Sequence, residues 1–442
     1  MTYAKLEHEI RDPIYGFIKF SKLEREIINS EPMQRLRDIN QLALTFLIYP
    51  SATHKRFEHS LGVMELATRV FDVITSQENM HPTIENNDEL REFFHSEKKK
   101  LYWKSVLRVA ALCHDIGHLP FSHAAEKELL PDGISHETMG IKIIESKLKE
   151  IIEKETPPLR VEDVIKLAMG QEKLPDKKFT ALESLLSEII TGNVFGADRM
   201  DYLVRDSHHL GVAYGHIDQH RLINTLRILI DENNDNRPML GIESGGINVA
   251  ESLLISRYLM FSQVYYHHVR IAYNEHLKDF LIEYLEEKEG KPQFPTDVDN
   301  YLNYTDSLIL SEIYKRTKNK ELVGHEKAKR IANREHYKKI YKKNLADISE
   351  TCLNPVRCIY DYLSDIFGTE NVKIFEKADT GGILDFLIVN TKDEIKNSTN
   401  YSELVKKMPT INVGYVLINK KYRDEAEKLL ENEKEKILKE KK

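Results

Sequence analysis

The sequence has little cysteine, no long apolar run and no excess of positive charge. Its three cysteines, Cys113, Cys352 and Cys358, show no CxxC spacing, so we expect no disulfide framework and a reducing, cytoplasmic location. No apolar run approaches the roughly 20 residues that a membrane-spanning helix needs, and the first residues lack the apolar core of a signal peptide. The net charge of −7 argues against a basic surface for nucleic acid. We therefore expect a soluble protein with neither a membrane nor nucleic acid as its partner.

The 442 residues, 41% hydrophobic and 31% charged, suffice for two or three domains. Helical periodicity dominates, with a short strand predicted near residue 17 and a hairpin predicted in `RILIDENNDNRPMLGIE`. We predict a mostly α fold in three parts: a helical core with small β-hairpins in 1–285, a basic helical extension or regulatory linker in 286–345, and a small α+β domain in 346–442.

The linker contains a strongly basic run. Residues 315–343 hold 12 Lys or Arg against three Glu. Such a run is usually a solvated helix face, and the alternative is a functional binding surface. The charge pattern alone leaves both interpretations open.

Histidine is concentrated in the N-terminal half, where 11 of the 18 histidines lie between His54 and His216. The densest stretch, `ALCHDIGHLPFSH`, follows an apolar run that predicts a buried helix. His114 and Asp115 differ by about 100° on a helix, so their side chains can still converge on one ion. Gly117 and Pro120 then end the helix. Imidazole and carboxylate together suit Zn, Mn, Fe, Ni or Mg, whereas a lone histidine is more often a core residue.

The same stretch matches the H-x-x-x-H spacing of zinc proteases only superficially. Asp115 is a methylene shorter than the glutamate base of that motif, and the helix that presents its ligands is interrupted here.

Two further segments offer ligands for the same ion. `HKRFEHSLGV` places His59 on an amphipathic helix, with Arg56 three residues earlier on the same face. `GADRMDYLVRDSHH` places Asp198, Tyr202 and Asp206 along one helical stripe. A solvated stripe is the alternative, but apolar neighbours favour a buried functional one.

The order His59, His114–Asp115, Asp198 resembles the H…HD…D signature of HD-domain metal-dependent phosphohydrolases. The blocks `DPIYG`, `QRLRDINQL`, `HKRFEHSLGV`, `CHDIGHLPFSH` and `DRMDYLVRDSHHLG` resemble the deoxynucleoside triphosphate (dNTP) triphosphohydrolase branch. That branch includes the vertebrate sterile-alpha-motif HD dNTPase and bacterial relatives. The resemblance implies an HD-domain helical core that hydrolyses dNTPs at the α-phosphate to a deoxynucleoside and inorganic triphosphate.

The resemblance also implies roles for individual residues. It implies that the metal ligands are His59, His114, Asp115 and Asp198, and that the catalytic residues are His118, His123, Glu126 and His136. Glu126 could orient His123, as carboxylates commonly fix an imidazole tautomer. The implied substrate-binding residues are Arg56 as a phosphate clamp, Tyr202 and Asp206 at the sugar, Gln41 and Leu42 near sugar and base, and Arg257 and Tyr265 as further pocket positions. The metal is a divalent ion, for which we expect Mg or Mn.

Family members assemble as oligomers with activating nucleotides between subunits, so we expect a homotetramer with a dNTP or GTP activator. The matching allosteric positions are Asn29, Gln34, Arg37, Arg334 and Lys338. Asn29 replaces the aspartate that reads guanine in the vertebrate enzyme, so guanine selectivity is not expected. An oligomer interface without a regulator is the alternative.

Two other functions compete with this hypothesis. One is a different HD phosphoesterase, acting on a nucleoside monophosphate, a cyclic nucleotide or an alarmone. The other is a nucleic-acid-binding protein or nuclease that uses the basic run, against which the acidic net charge argues.

Overall fold

A computed structural model of the chain describes most of its length. The described residues are 5–122, 126–154, 157–231, 237–378 and 384–439. The chain begins with a hairpin in which β1 (His8–Asp12) pairs antiparallel with β2 (Gly16–Phe20). Asp12 closes the turn by accepting two backbone N–H bonds of 2.9 Å. Gly16 has φ +79°, a conformation that glycine adopts without strain. The predicted strand near residue 17 is therefore present.

Helices fill the chain from this hairpin to residue 225. They are α1 (Lys22–Ile28), α2 (Glu31–Arg35), α3 (Arg56–Ile74), α4 (Asp88–Phe94), α5 (Glu97–Cys113), α6 (Glu126–Leu129), α7 (His136–Ile143), α8 (Lys149–Glu153), α9 (Val161–Met169), α10 (Ala181–Thr191), α11 (Ala197–Leu210) and α12 (Gln219–Thr225). The segment after the hairpin is divided into α1, α2 and a 3-10 turn at Leu36–Asp38. Ser30 is extended and Pro32 follows in the first turn of α2, which a continuous helix does not allow.

Helix α3 is the centre of this half and packs against α5, α10, α11 and α12. It lies against α11 at Gly62, where an added Cβ would lie 2.2 Å from side-chain atoms of Asp201 and Arg205. The missing side chain therefore lets a buried ion pair of α11 lie directly against α3.

The following segment combines a hairpin with further helices. Its elements are β3 (Leu226–Asp231), β4 (Arg237–Glu243), α13 (Ile247–Met260), α14 (His268–Glu289), α15 (Val298–Leu302), α16 (Asp306–Lys318), α17 (His325–Ala332) and β5 (Lys338–Lys342). Strands β3 and β4 form the predicted antiparallel hairpin. Helices α13 and α14 are separated by a π-helical turn at Phe261–Tyr265 and by extended His267. The basic run is divided among α16, α17 and β5, so it is not one helix face.

The last hundred residues contain both helices and strands. They are α18 (Pro355–Phe367), β6 (Val372–Ala378), β7 (Leu387–Val389), β8 (Ile395–Asn397), α19 (Glu403–Lys406), β9 (Asn412–Ile418) and α20 (Arg423–Lys439). One sheet has the order β5-β9-β6, and the other has the order β3-β4-β7-β8 with β7 parallel to β4. Strand pairing thus crosses the predicted boundary at residues 345 and 346, and the division into three domains stays a prediction.

These elements make the protein mostly helical with small sheets, which confirms the predicted fold class. Cys352 and Cys358 are paired as a disulfide, although no disulfide framework was expected from the spacing. Cys113 is free and buried. In the part of the chain that the structure describes, no helix is both long and apolar enough to cross a membrane.

Candidate metal centre

Three elements bring the predicted metal ligands to one point. His59 lies in the first turn of α3, and Asp198 lies in the first turn of α11. His114 and Asp115 follow α5, which ends at Cys113. The helix predicted to continue to residue 118 therefore stops earlier, and the His-Asp pair lies in a tight turn. In that turn the Ile116 N–H donates to the Cys113 carbonyl at 3.1 Å.

The ligand atoms of His59, His114 and Asp198 are spaced as they would be around a single ion, and Asp115 lies beside them with a different oxygen towards each histidine. His59 Nε2 lies 3.1 Å from Asp198 Oδ1, and His114 Nε2 lies 3.6 Å from the same oxygen. Ligands about 2.0–2.2 Å from an ion lie roughly 3 to 3.6 Å from one another. The Asp115 oxygens lie 3.4 Å from His114 Nε2 and 3.6 Å from His59 Nε2. His114 Nε2 is buried without a hydrogen bond, so this mixed nitrogen and oxygen set fits a divalent metal.

The second nitrogen of each imidazole is held by another group. His59 Nδ1 lies 2.7 Å from Asp201 Oδ2, and His114 Nδ1 lies 2.8 Å from the Ala111 carbonyl oxygen. Acceptors at these nitrogens fix the tautomer with the proton on Nδ1, which leaves Nε2 facing the centre. This support is typical of histidines that bind metal.

Asp201 is itself fixed by a buried ion network. Arg205 donates from Nε to Asp201 Oδ2 and from Nη1 to Asp12 Oδ2, both at 2.8 Å, and the Arg205 side chain is fully buried. Neither Asp201 nor Arg205 is among the predicted site residues, although their i, i+4 spacing is visible in `DRMDYLVRD`. The contact with Asp12 joins α11 to the N-terminal hairpin, and no local pattern shows it.

The charges of the centre depend on one another. Burial disfavours a charged His59, but hydrogen bonds to Asp198 and Asp201 outweigh it and raise the pKa of His59 to about 10. Burial likewise opposes ionisation of Asp201, but Arg205 and His59 lower its pKa to about 2. A bound cation would take the place of the proton on His59, since a ligating imidazole must be neutral at that nitrogen.

Asp115 is paired with an arginine in addition to its histidine neighbours. Arg56 Nη1 contacts Asp115 Oδ2, and Arg56 Nε donates to Ser122 Oγ at 2.8 Å. Although burial alone would raise the pKa of Asp115, the charges of Arg56 and the neighbouring histidines hold it well below its usual value. Arg56, the predicted phosphate-binding residue, therefore contacts Asp115, a predicted metal ligand.

Three of the predicted catalytic residues lie together beside the centre. His118 Nε2 is 3.2 Å from Asp115 Oδ1, and the His118 and His136 rings stack with centroids 4.0 Å apart. His136 Nδ1 is 2.7 Å from Glu126 Oε1. Glu126 thus contacts His136, whereas His123, which it was predicted to orient, lies outside the described residues. Burial and the nearby charges of Arg56 and His136 keep the pKa of His118 well below its usual value.

The predicted sugar residues form a separate buried cluster. Asp206 Oδ1 lies 2.8 Å from His54 Nε2, and Tyr265 Oη donates to Asp206 Oδ2 at 2.7 Å. The Tyr202 and Tyr265 rings meet edge to face at 6.0 Å. Gln41 is buried near this group through a 3.0 Å backbone bond to the His54 carbonyl. His54 is not among the predicted site residues.

The remaining substrate positions are placed differently. Leu42 is buried in the hydrophobic core. Arg257 donates to the Asn193 carbonyl at 3.0 Å, and Arg199 donates to the same oxygen at 3.1 Å. Two guanidinium groups therefore bind the same carbonyl oxygen, that of Asn193, two residues after the end of α10.

A cavity of about 450 Å³ reaches the centre. It is bordered by His114, Asp198 and the neighbouring His136, and also by Arg237 and Phe386. The residues predicted to bind sugar and base do not line it. The cavity is large enough for a nucleotide-sized ligand.

The predicted activator positions fall into two groups, one formed by Asn29, Gln34 and Arg37 and the other by Arg334 and Lys338. Gln34 Oε1 accepts from Arg37 Nε at 3.0 Å, and Arg37 covers the Phe57 ring. Arg334, at φ +59°, donates to the Leu47 carbonyl at 2.7 Å. Asn29 caps the C-terminus of α1, and Lys338 Nζ lies 3.1 Å from His336 Nε2. Among the residues described, no hydrogen bond or ion pair joins the two groups.

Family models match two adjacent parts of the chain. The HD domain model matches residues 56–206, which include the four predicted metal ligands. The model described as the HD associated region matches residues 217–368.

Relatives and a solved structure extend this likeness. The chain is 36% identical over 322 residues to an uncharacterized protein of Methanocaldococcus jannaschii, covering 72% of this chain and 59% of that protein. It is 29% identical over 336 residues to the deoxynucleoside triphosphate triphosphohydrolase SAMHD1 homolog of Dictyostelium discoideum, covering 74% of this chain and 59% of that protein. The chain thus spans about three fifths of these curated relatives. A hypothetical protein from Aquifex aeolicus has a similar structure, with TM-score 0.76 and 30% identity over 96% of this chain and 99% of that one.

Proposed function

This chain belongs to the HD-domain family of metal-dependent phosphohydrolases, and from that membership we propose that it hydrolyses deoxynucleoside triphosphates at the α-phosphate. The coarse assignment is a hydrolase with a divalent-metal site. The finer one, triphosphate release from a dNTP, is supported by the likeness to the Dictyostelium SAMHD1 homolog. The observation that carries the proposal is the convergence of His59, His114 and Asp198 beside a nucleotide-sized cavity, which His114 and Asp198 border.

In the proposed reaction, water attacks the α-phosphorus and the bond from phosphorus to the 5′ oxygen breaks. A divalent ion held by His59, His114, Asp115 and Asp198 would polarise the phosphoryl group and lower the pKa of a bound water. Asp201 and Ala111 hold the two imidazoles in the tautomer that ligation needs. These residues set the position of the attacked phosphorus.

The leaving 5′ oxygen must gain a proton to depart as a nucleoside hydroxyl. His136 borders the cavity and is oriented by Glu126, while His118 stacks on its ring. Because the pKa of His118 is held well below its usual value, His136 would be the residue that delivers that proton, and His118 would pack against its ring. The attacking water loses one proton, which balances the proton gained by the leaving 5′ oxygen. The triphosphate leaves with the new oxygen on its α-phosphorus.

We also propose nucleotide activation in a homotetramer. The basis is the resemblance at Gln34, Arg37, Arg334 and Lys338, in regions that lie outside the metal centre. Their distribution over two separate groups suits a ligand that completes its site between subunits. Light scattering with and without dNTPs tests this: we expect nucleotide-dependent tetramers, and an unchanged mass would contradict it.

Product analysis tests the proposed activity. The protein, loaded with Mg²⁺ or Mn²⁺, is incubated with each dNTP alone, with the matching ribonucleotide, and with pairs that include GTP. We expect deoxynucleoside and inorganic triphosphate from dNTPs, with a gain in mixtures if an activator is needed. Monophosphate and pyrophosphate as products, or no turnover in any mixture, would overturn the assignment.

A further inference from the structure

Gly117–Ser122, here called the catalytic segment, carries His118, and its residues 117–121 lie in no helix or strand. Phe121 and Ser122 both have φ +57°, a left-handed conformation that residues with side chains adopt only when their surroundings hold them there. An added Cβ on Gly117 would lie 2.1 Å from the His136 carbonyl, so the segment passes directly against α7. Something outside the segment must fix this irregular course.

Three buried residues, here called the clamp, bind its backbone: Arg35, Tyr301 and Asp306. Tyr301 Oη donates to the Gly117 carbonyl at 2.5 Å. Arg35 Nη1 donates to the His118 carbonyl at 2.9 Å. Asp306 Oδ1 accepts the Phe121 N–H at 2.7 Å. These bonds therefore hold the backbone at His118, at the residue before it, and at the left-handed Phe121.

Two of the clamp residues also contact each other, and two bind further backbone groups outside the catalytic segment. Arg35 Nε donates to the Tyr304 carbonyl at 3.0 Å, and the Arg35 guanidinium lies over the Tyr301 ring at 5.2 Å. Asp306 Oδ2 accepts the Asn40 N–H at 2.9 Å, next to predicted substrate residue Gln41. The side chains of Tyr301 and Asp306 are at most 1% exposed. Water therefore cannot replace these bonds.

The clamp joins two regions that are far apart in sequence. The catalytic segment lies within the part matched by the HD domain, whereas Tyr301 and Asp306 lie within the HD associated region. Ser122, at the end of the segment, also accepts a bond from Arg56, which contacts metal ligand Asp115. A shift of the segment would thus displace both His118 and the arginine beside the metal centre.

We propose that Arg35, Tyr301 and Asp306 are positioning residues that hold the catalytic segment in its active conformation. The associated region is then part of the catalytic apparatus through these backbone bonds. Hydrolysis depends on the placement of a catalytic group within a fraction of an ångström. The kinetic part of this inference rests on the proposed function, whereas its structural part does not.

Two tyrosines that lie three residues apart, Tyr301 and Tyr304, provide a matched test. Tyr301→Phe removes the hydroxyl that binds the Gly117 carbonyl. Tyr304→Phe removes a hydroxyl that contacts Glu289 and not the catalytic segment. Both substitutions delete one oxygen from a buried tyrosine, so a general loss of stability would affect both.

Asp306→Asn is the second variant. Asparagine keeps the shape but has one acceptor oxygen, so it cannot accept from both Asn40 and Phe121 and its amide faces one of these donors. We expect a kcat loss of about tenfold or more in Asp306→Asn and of several-fold in Tyr301→Phe, with KM and bound metal unchanged. Tyr304→Phe should keep the wild-type kcat.

Hydrogen–deuterium exchange of peptides covering the catalytic segment gives a readout without turnover. We expect faster exchange there in Tyr301→Phe and Asp306→Asn, and wild-type exchange in Tyr304→Phe. Unchanged exchange in both clamp variants would overturn the inference, as would equal kcat losses in the two tyrosine variants. If the wild-type protein hydrolyses no dNTP, the proposed function fails while exchange still decides whether the clamp holds the segment.

Discussion

Asp201→Asn tests whether the buried network behind His59 supports metal binding. The Asp201 carboxylate lies 2.7 Å from His59 Nδ1 and is fully buried, so water cannot take its place. Asparagine preserves the shape but removes the charge that favours the Nδ1–H tautomer. Loss of such a support typically lowers metal affinity about 10- to 100-fold, or about 1.4–2.7 kcal/mol.

The same change has a cost in stability that can be bounded. Breaking a buried ion pair completely costs about 3–5 kcal/mol. Arg205 keeps its 2.8 Å bond to Asp12 after the substitution, so we expect a smaller loss. Urea unfolding of the metal-free protein measures this loss separately from affinity.

Metal affinity is measured by titrating metal-free protein with Mn²⁺ against a competing chelator. Asp163→Asn is the matched control, because Asp163 is also a buried carboxylate. It accepts a hydrogen bond of 2.6 Å from Tyr102 Oη and does not contact the metal centre. We expect the control to keep the wild-type affinity. An unchanged affinity in folded Asp201→Asn would refute the argument that this network supports the ligand.

Three further predictions follow from the same geometry. Gly117→Ala should destabilise the protein by about 1–3 kcal/mol in urea unfolding, because its Cβ would overlap backbone atoms of α7, and a neutral result would show that the segment can move. Asp115→Ala should abolish turnover and reduce metal content in elemental analysis, and retained activity at normal metal content would refute the assigned site. Burial raises the pKa of Asp306 to about 7, despite two backbone hydrogen bonds and the charges of Lys55 and Arg35. A raised folded pKa gives stability that is present at low pH and lost as the pH rises through about 7. The stability of wild type relative to Asp306→Asn should therefore be lower at about pH 8 than at about pH 5, by up to about 3 kcal/mol for the roughly two pH units between pH 5 and the folded pKa, and the opposite trend in urea unfolding would contradict it.

Local patterns predicted the parts of the fold that depend on neighbouring residues. The β3–β4 hairpin and the amphipathic helix carrying His59 follow from periodicity and turn residues. The grouping of His59, His114 and Asp198 was implied by the resemblance, and the structure brings these side chains together. These features depend on residues within short segments, or on the order in which such segments follow one another along the chain.

Features that depend on distant contacts could not be predicted in this way. The end of α5 at Cys113 is set by the turn that brings His114 and Asp115 towards α3 and α11. The parallel pairing of β7 with β4 joins strands about 145 residues apart, which no local periodicity reveals. Tyr301 and Asp306 reach the catalytic segment from more than 180 residues away, and nothing in their local sequence distinguishes them from other polar residues in helices.

The most direct test of the central claim is hydrolysis of a dNTP in ¹⁸O-enriched water. Attack on the α-phosphorus places the label in inorganic triphosphate and leaves the deoxynucleoside unlabelled, which mass spectrometry of the separated products resolves. We predict label in the triphosphate alone, dependent on added Mg²⁺ or Mn²⁺. Label in the nucleoside, in a monophosphate or in orthophosphate would contradict the proposed chemistry at this centre.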